Sequence, residues 1–135
     1  MDDGGGPATF QLESALDVNG NLLITGGTLD TKVGVDNSIN VAGNWTNNDT
    51  FTAQNGTVTF DATSGTKTIN PGSSSFYALD FDGVGGTWQP VTNTVTATNN
   101  LDVTNGTMDN ETNDQTLAVT GDVAIGSGEI GRAHV

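Results

Sequence analysis

The chain has no cysteine, one histidine (His134), one arginine (Arg132) and only two lysines, Lys32 and Lys67, among 135 residues. Each shortage removes a class of chemistry. Without thiols there is no disulfide frame and no thiolate metal site. With 3 basic residues against 16 acidic ones the net charge is −13. A surface this acidic repels phosphate backbones and anionic lipid headgroups, so nucleic acid is not expected as a partner. No apolar run approaches the roughly 20 residues of a membrane-spanning helix, and no membrane insertion is expected. The opening "MDDGGGPATF" is acidic and glycine-rich, unlike the basic-then-apolar start of a signal peptide. Either the protein is cytoplasmic or its true N-terminus lies upstream of Met1. Hydrophobic residues make up only 33% of the chain, so any core must be narrow. Charged residues, at 14%, are too few for a disordered polyelectrolyte.

What the chain does contain is Thr, Asn, Gly and Asp around short apolar bursts of period two. Examples are Leu16/Val18, Leu22/Ile24, Ile39/Val41/Trp45, Val58/Phe60, Tyr77/Leu79/Phe81, Val95/Ala97, Leu101/Val103 and Leu117/Val119. Strict alternation over three to six residues predicts half-buried strands, and the NG, GG, NN, SG and PG pairs between them predict turns. No stretch of ten residues carries a helical period. The expected class is all-β.

The chain also resembles itself. Residues 9–30 align with 87–109, and 38–45 with 116–123, at a spacing of 78 or 79. Phe10 then matches Trp88, Leu22 matches Leu101, Leu29 matches Met108, and Ile39 and Val41 match Leu117 and Val119. One full unit and part of a second are present. Two architectures accommodate this, an antiparallel β-sandwich and a right-handed parallel β-helix (β-solenoid). Very short strands, corners dense in Asn and Gly, and a low apolar fraction favour the solenoid. At roughly 20 residues a turn and ~4.8 Å between strands, it would have about six turns and be on the order of 30 Å long.

The stretches "GNLLITGGTLDT" and "INVAGNWTNNDTFTAQNGTVTFDATSGTKTI" resemble the repeats of large secreted or surface-attached bacterial proteins with filamentous-haemagglutinin-like or autotransporter-like β-helical segments. The resemblance runs from about Thr9 to Gly128. It implies a β-helix serving as stalk, spacer or adhesive surface, an extracellular or cell-surface location, and no catalytic residue to carry over. Its partners would be host or environmental glycans, or neighbouring repeats of the same chain.

An enzyme reading has to be built from carboxylates, since glycoside hydrolysis needs two of them facing one cleft. Asp17, Asp30, Asp61, Asp102 and Asp109 follow or interleave strand residues and are expected to point outward, as solvated groups. Asp80 and Asp82 share one strand face in "DFDGVGG". With turn carbonyls they could begin a Ca²⁺ site, but Phe81 between them, facing a core, explains the segment as well. Trp45 and Trp88 would stack on sugar rings if exposed, but both occupy core-phase positions. The Thr-x-Thr triplets at 50–52, 57–59, 94–96 and 96–98 are too irregular for an ice-binding array. The Asn-x-Thr tripeptides at Asn44, Asn48, Asn55, Asn105 and Asn110 arise by chance in so Asn- and Thr-rich a text. No cofactor, metal or catalytic residue is assigned.

The ending "EIGRAHV" breaks the composition, holding the only Arg and His. Read into codons as GAG ATC GGA AGA GCA CAC GTC, it resembles the adapter ligated to fragments in short-read DNA sequencing, in which the next triplet is a stop. Residues 129–135 are therefore expected to be adapter-derived. Excluding them removes one acid and one base, so 15 against 2 still gives −13. The expected organisation is a flexible lead over 1–8, a solenoid repeat segment over 9–128 and a non-native tail over 129–135. The expected function is non-enzymatic: a structural or adhesive repeat segment of a larger secreted bacterial protein. The alternative is a carbohydrate-active or glycan-binding β-helix segment.

Overall fold

The computed structural model describes residues 7–131; Arg132 and His134 lie outside the described residues. The chain winds through six turns that stack into the three faces of a right-handed parallel β-solenoid. Turn one comprises β1 (Thr9–Gln11), β2 (Leu16–Val18) and β3 (Leu22–Ile24). Turn two repeats the order with β4 (Thr28–Asp30), β5 (Ile39–Val41) and β6 (Trp45–Asn47), and turn three with β7 (Thr50–Thr52), β8 (Thr57–Phe60) and β9 (Gly65–Asn70). In turn four the first face holds only the bridge from Phe76 to Ala97, and β10 (Ala78–Pro90) runs across the other two. Turn five has β11 (Val95–Ala97) and β12 (Leu101–Met108); turn six has β13 (Leu117–Val119), β14 (Val123–Ile125) and β15 (Glu129–Ile130). All strand pairs of the described residues are parallel, which removes the antiparallel sandwich. Among the described residues no helix is long and apolar enough to cross a membrane.

Register explains why so few apolar residues suffice. On the second face Leu16, Ile39, Val58, Leu79, Leu101 and Val123 stack in one column, with Val18, Val41, Phe60, Phe81, Val103 and Ile125 in the next. Alternation sends every second side chain inward, so two residues per strand fill a thin core. Trp45, Phe51, Phe60 and Phe76 form a cluster of mostly edge-on and tilted rings, with centroids 4.9 to 6.2 Å apart. Phe60 stacks on Phe81, 5.3 Å away with planes 13° apart. Such pairs add about 0.5–1.5 kcal/mol each beyond the area they bury.

Two strands are longer than the alternating bursts predict: β10 has 13 residues and β12 has 8. Both bend round the corner between the second and third faces, and glycine is what lets the ladder bend without breaking. A Cβ at Gly83 would lie 1.9 Å from the Ala62 carbonyl oxygen. Gly106, with φ +84°, would put one 2.5 Å from the carbonyl oxygen of Gly83. The backbone of one turn there lies directly on the next, with no room for a methyl group.

The 78–79-residue correspondence does not carry face onto face. Leu22 is on the third face, and its match Leu101 is on the second; Phe10 is on the first, and its match Trp88 is on the third. The match spans three turns and two faces. The structural repeat is the single turn: equivalent residues of the second-face column lie 19 to 23 positions apart. Any strand with two inward apolar residues can stand on any of the three faces, so the chain can resemble itself out of phase.

Candidate functional site

The outward side of the second face, with the corner that follows it, carries five of the seven acids that the sequence brings into question. Along it Asp17, Asn40, Thr59, Asp80 and Asp102 follow one another turn by turn, ending at Ala124. Asp61 and Asp82 continue their strands at the next corner. Asp80 and Asp82 do share the outward side, with Phe81 fully buried between them. Each has one oxygen engaged by the following turn: Thr104 Oγ1 donates to Asp80 Oδ1 at 2.8 Å, and Asn105 Nδ2 donates to Asp82 Oδ1 at 2.6 Å. Among the described residues, no three His, Cys, Asp or Glu side chains converge on a point where they could hold a metal ion.

Burial, and after it the crowding of like charge, shows in proton affinity. Burial pushes the Asp80 carboxyl above its usual range, the Thr104 hydroxyl partly opposes this, and Asp82 and Asp102 add to it. Asp61 is raised likewise, by burial first and then by Asp17 and Asp82. Its Oδ1 is buried without a hydrogen-bond partner. Asp61 lines a surface pocket of about 280 Å³ with Asn19, Ala42, Ala62, Thr63, Ser64 and Lys67.

The remaining predicted acids are structural pegs rather than free charges. Asp30 accepts from Gln54 Nε2 at 2.9 Å, from the Lys32 N–H at 2.9 Å and from Gln11 Nε2 at 3.1 Å. Burial alone would raise its pKa, but these three donors together pull it below the usual range. Asp109 is lowered by the hydroxyl of Thr112 and the amide of Gln89, against a smaller effect of burial. Lys32 pairs with Glu13 of the turn before.

Both tryptophans are fully buried, as their alternation phase predicts. Neither ring face is available to a sugar, which removes the feature on which a stacking site would depend. Each indole Nε1 is buried without a partner. Burying 150–250 Å² of Trp surface contributes roughly 4–6 kcal/mol, against about 1–3 kcal/mol for one unsatisfied donor, so burial wins. The Thr-x-Thr triplets fall on different faces: 50–52 on the first, 57–59 on the second.

Sequence reasoning missed the polar residues that point inward. Thr31 and Asn47 are 0% and 1% exposed. Thr31 Oγ1 donates to the Ala53 carbonyl at 2.6 Å. Asn47 Nδ2 donates to the Pro71 carbonyl and to Ser74 Oγ, both at 3.0 Å, while its Oδ1 accepts the Asp49 N–H at 3.0 Å. Ser74 Oγ in turn accepts the Phe51 N–H at 2.9 Å, a donor that the interrupted first face of turn four would otherwise leave unpaired. The signal was present: counting by two from Trp45 and from Leu29 brings Asn47 and Thr31 to inward positions.

Comparison of the chain with family models, curated proteins and solved structures returned no match.

Proposed function

We propose that the chain is a non-catalytic structural segment, serving as stalk or adhesive surface, of a larger protein displayed outside a bacterial cell. The observation that carries this reading is where the outward polar groups go. Asn21 and Asn44 each accept a backbone N–H of the turn that follows, at 2.8 Å in both cases, and Asp30, Asp80, Asp82 and Asp109 accept side-chain donors from neighbouring turns. These six side chains are engaged in holding one turn to the next. A quasi-one-dimensional stack of this kind gives length and a repetitive surface from little apolar material. The partners fitting that surface are glycans or neighbouring repeats of the same chain.

The test is to present the purified chain with a panel of bacterial and host polysaccharides, measuring both retention on the immobilised glycan and release of reducing ends. The reading expects no release. Cleavage that disappears in Asp61→Asn would overturn it and establish the second reading, a carbohydrate-active segment. One observation favours that alternative: Asp61, with a raised proton affinity and an unpaired buried oxygen, shares its pocket with Lys67. That is the kind of environment in which a carboxyl can act as a general acid. We further propose that residues 129–135 are adapter-derived; amplification of the reading frame from intact genomic DNA tests this, and recovery of the same codons before a stop contradicts it.

A further inference from the structure

The corner between the second and third faces changes width along the stack. Register sets Val18, Val41 and Phe60 in line before the corner, and Leu22, Trp45 and Ile69 in line after it. Turns one and two therefore cross the corner in three residues, 19–21 and 42–44, whereas turn three takes eight, 61–68. Turn four is as wide, since Phe81 lies on Phe60 and Pro90 on Ile69, with 82–89 between them. The extra residues of turn three form a ledge. The pocket of about 280 Å³ opens in the step between that ledge and the narrower turns, around Ala42. Its walls belong to three successive turns, and a further turn stacked before the first would lie beyond Asn19 rather than over Ala42.

Two charged groups of this pocket stand unmatched. The Asp61 carboxylate has one oxygen buried without a hydrogen-bond partner. Lys67 is half-buried, and among the described residues its ammonium makes no ion pair, whereas Lys32 pairs with Glu13. Asp61 and Lys67 line one pocket without forming an ion pair with each other. An acceptor and a donor held apart by open space fit a ligand that offers the converse pair. Asn19, Thr63 and Ser64 add an amide and two hydroxyls to the rim.

We propose that this pocket binds one neutral sugar unit through two adjacent hydroxyls, the first donating to the Asp61 carboxylate and the second accepting from the Lys67 ammonium. A hydroxyl both donates and accepts, so a vicinal diol meets the acidic and the basic group at once. Hydrogen bonds to ionised groups are the strong ones. The volume, near the lower limit of small-molecule clefts of ~300–1,000 Å³, suits a single ring. Charge selects a neutral sugar over a sugar acid: the chain carries −13, and Asp17 and Asp82 act on Asp61 by like charge. Such a site presupposes the adhesive role proposed above, and it holds sugar without cleaving it. With no aromatic ring in its lining, its Kd for a single sugar unit is expected on the order of 1 mM.

Amide chemical shifts of the isotope-labelled full chain, titrated with the methyl glycosides of glucose, galactose and mannose, test this. At least one glycoside is expected to shift Ala42, Lys67 and residues 61–64 saturably, with a Kd below roughly 10 mM. Asp61→Asn and Lys67→Gln should each weaken it by about tenfold or more, as loss of a charge-assisted bond does. Lys32→Gln, at another corner, should leave it unchanged. The matching 3-deoxy glycoside keeps no two adjacent hydroxyls and should also lose about tenfold. That comparison needs no variant, so it stands even if a substitution disturbs the fold. Glucuronate should bind no more tightly than the glycoside of glucose. The proposal is overturned if none of the three glycosides shifts the pocket residues, or if the deoxy glycoside binds equally well. Tighter binding of glucuronate, or folded Asp61 and Lys67 variants that bind as wild type does, overturns it too. Retention of the chain on immobilised polysaccharide without these shifts removes this site and leaves the adhesive reading standing, whereas release of reducing ends removes that reading itself.

Discussion

Replacing Asn47 by alanine puts the inter-turn bonding to its hardest test. The side chain is 1% exposed and makes three hydrogen bonds, to the Pro71 carbonyl, Ser74 Oγ and the Asp49 N–H. Each is worth about 1 kcal/mol net, and the partners left unsatisfied in a buried site add to the loss. The expected destabilisation is about 3–4 kcal/mol. Asn40 provides the control: it stands on the preceding strand, its side chain points outward, and its alanine variant should fall within about 0.5 kcal/mol of wild type. Ser74→Ala removes the acceptor of the Phe51 N–H as well as the Asn47 contact, so it should cost about 2 kcal/mol. The two substitutions share one bond, so a double-mutant cycle should return a coupling of about 1 kcal/mol. Urea unfolding followed by far-ultraviolet circular dichroism reads all four, with the midpoint of Asn47→Ala falling by more than about 1 M at unchanged slope. An Asn47→Ala variant as stable as Asn40→Ala would refute the claim that inward polar side chains hold turns two, three and four together. So would additivity with Ser74→Ala.

Three further outcomes follow from the same geometry. Gly83→Ala should cost more than about 3 kcal/mol, because its Cβ meets the fixed Ala62 carbonyl at 1.9 Å, whereas Gly20→Ala, with nothing within 4 Å, should be neutral to about 0.5 kcal/mol; thermal melts distinguish them. Stability should peak on the acid side of neutrality. Asp61 and Asp80 lie above the ordinary 3.8, so their contribution is present below that value and lost as pH rises through their folded pKa values. Asp30 and Asp109 lie below it, so theirs is present above 3.8 and lost as pH falls through their folded values. Asp61→Asn should therefore be more stable than wild type at neutral pH and lose that advantage near 3.8; a variant less stable at neutral pH would contradict the account of a carboxyl raised by burial and then by like charge. Finally, with Trp45 and Trp88 both buried, tryptophan emission should be blue-shifted and unmoved by added glycans, and a shift on titration would mean that a ring reaches the surface.

Much of this fold was legible because a solenoid is local in its demands. Alternation at Ile39/Val41, Val58/Phe60 and Leu101/Val103 marks both the strand and its buried side, and these residues are all fully buried. Phase was harder to read. Corners vary from the short Asn48–Asp49 link to the loop of residues 31–38, so no fixed spacing announces the turn, and the strongest self-alignment settled one face out of step. The extended β10 was hidden because Gly83, Gly85 and Gly86 resemble turn punctuation, while their work here is to let two backbones touch. The acidic column was legible only as a set of outward residues. Which of them stack on one another depends on register, and register is a property of the wound chain rather than of any one strand.

The wound register is the central claim, and a chain without cysteine offers a clean background for testing it. Asn40, Thr59 and Asp80 are consecutive members of one outward column, about 4.8 Å apart at each step and about 9.6 Å over two. Paired cysteines at positions 40 and 59, and at 59 and 80, should form disulfides under mild oxidation, whereas the pair at 40 and 80 lies beyond the roughly 7 Å limit for bridging. Crosslinking of both neighbouring pairs but not the distant one is the predicted result. Failure of the neighbouring pairs, or equal bridging of the distant one, would contradict the solenoid and the functional reading built on it.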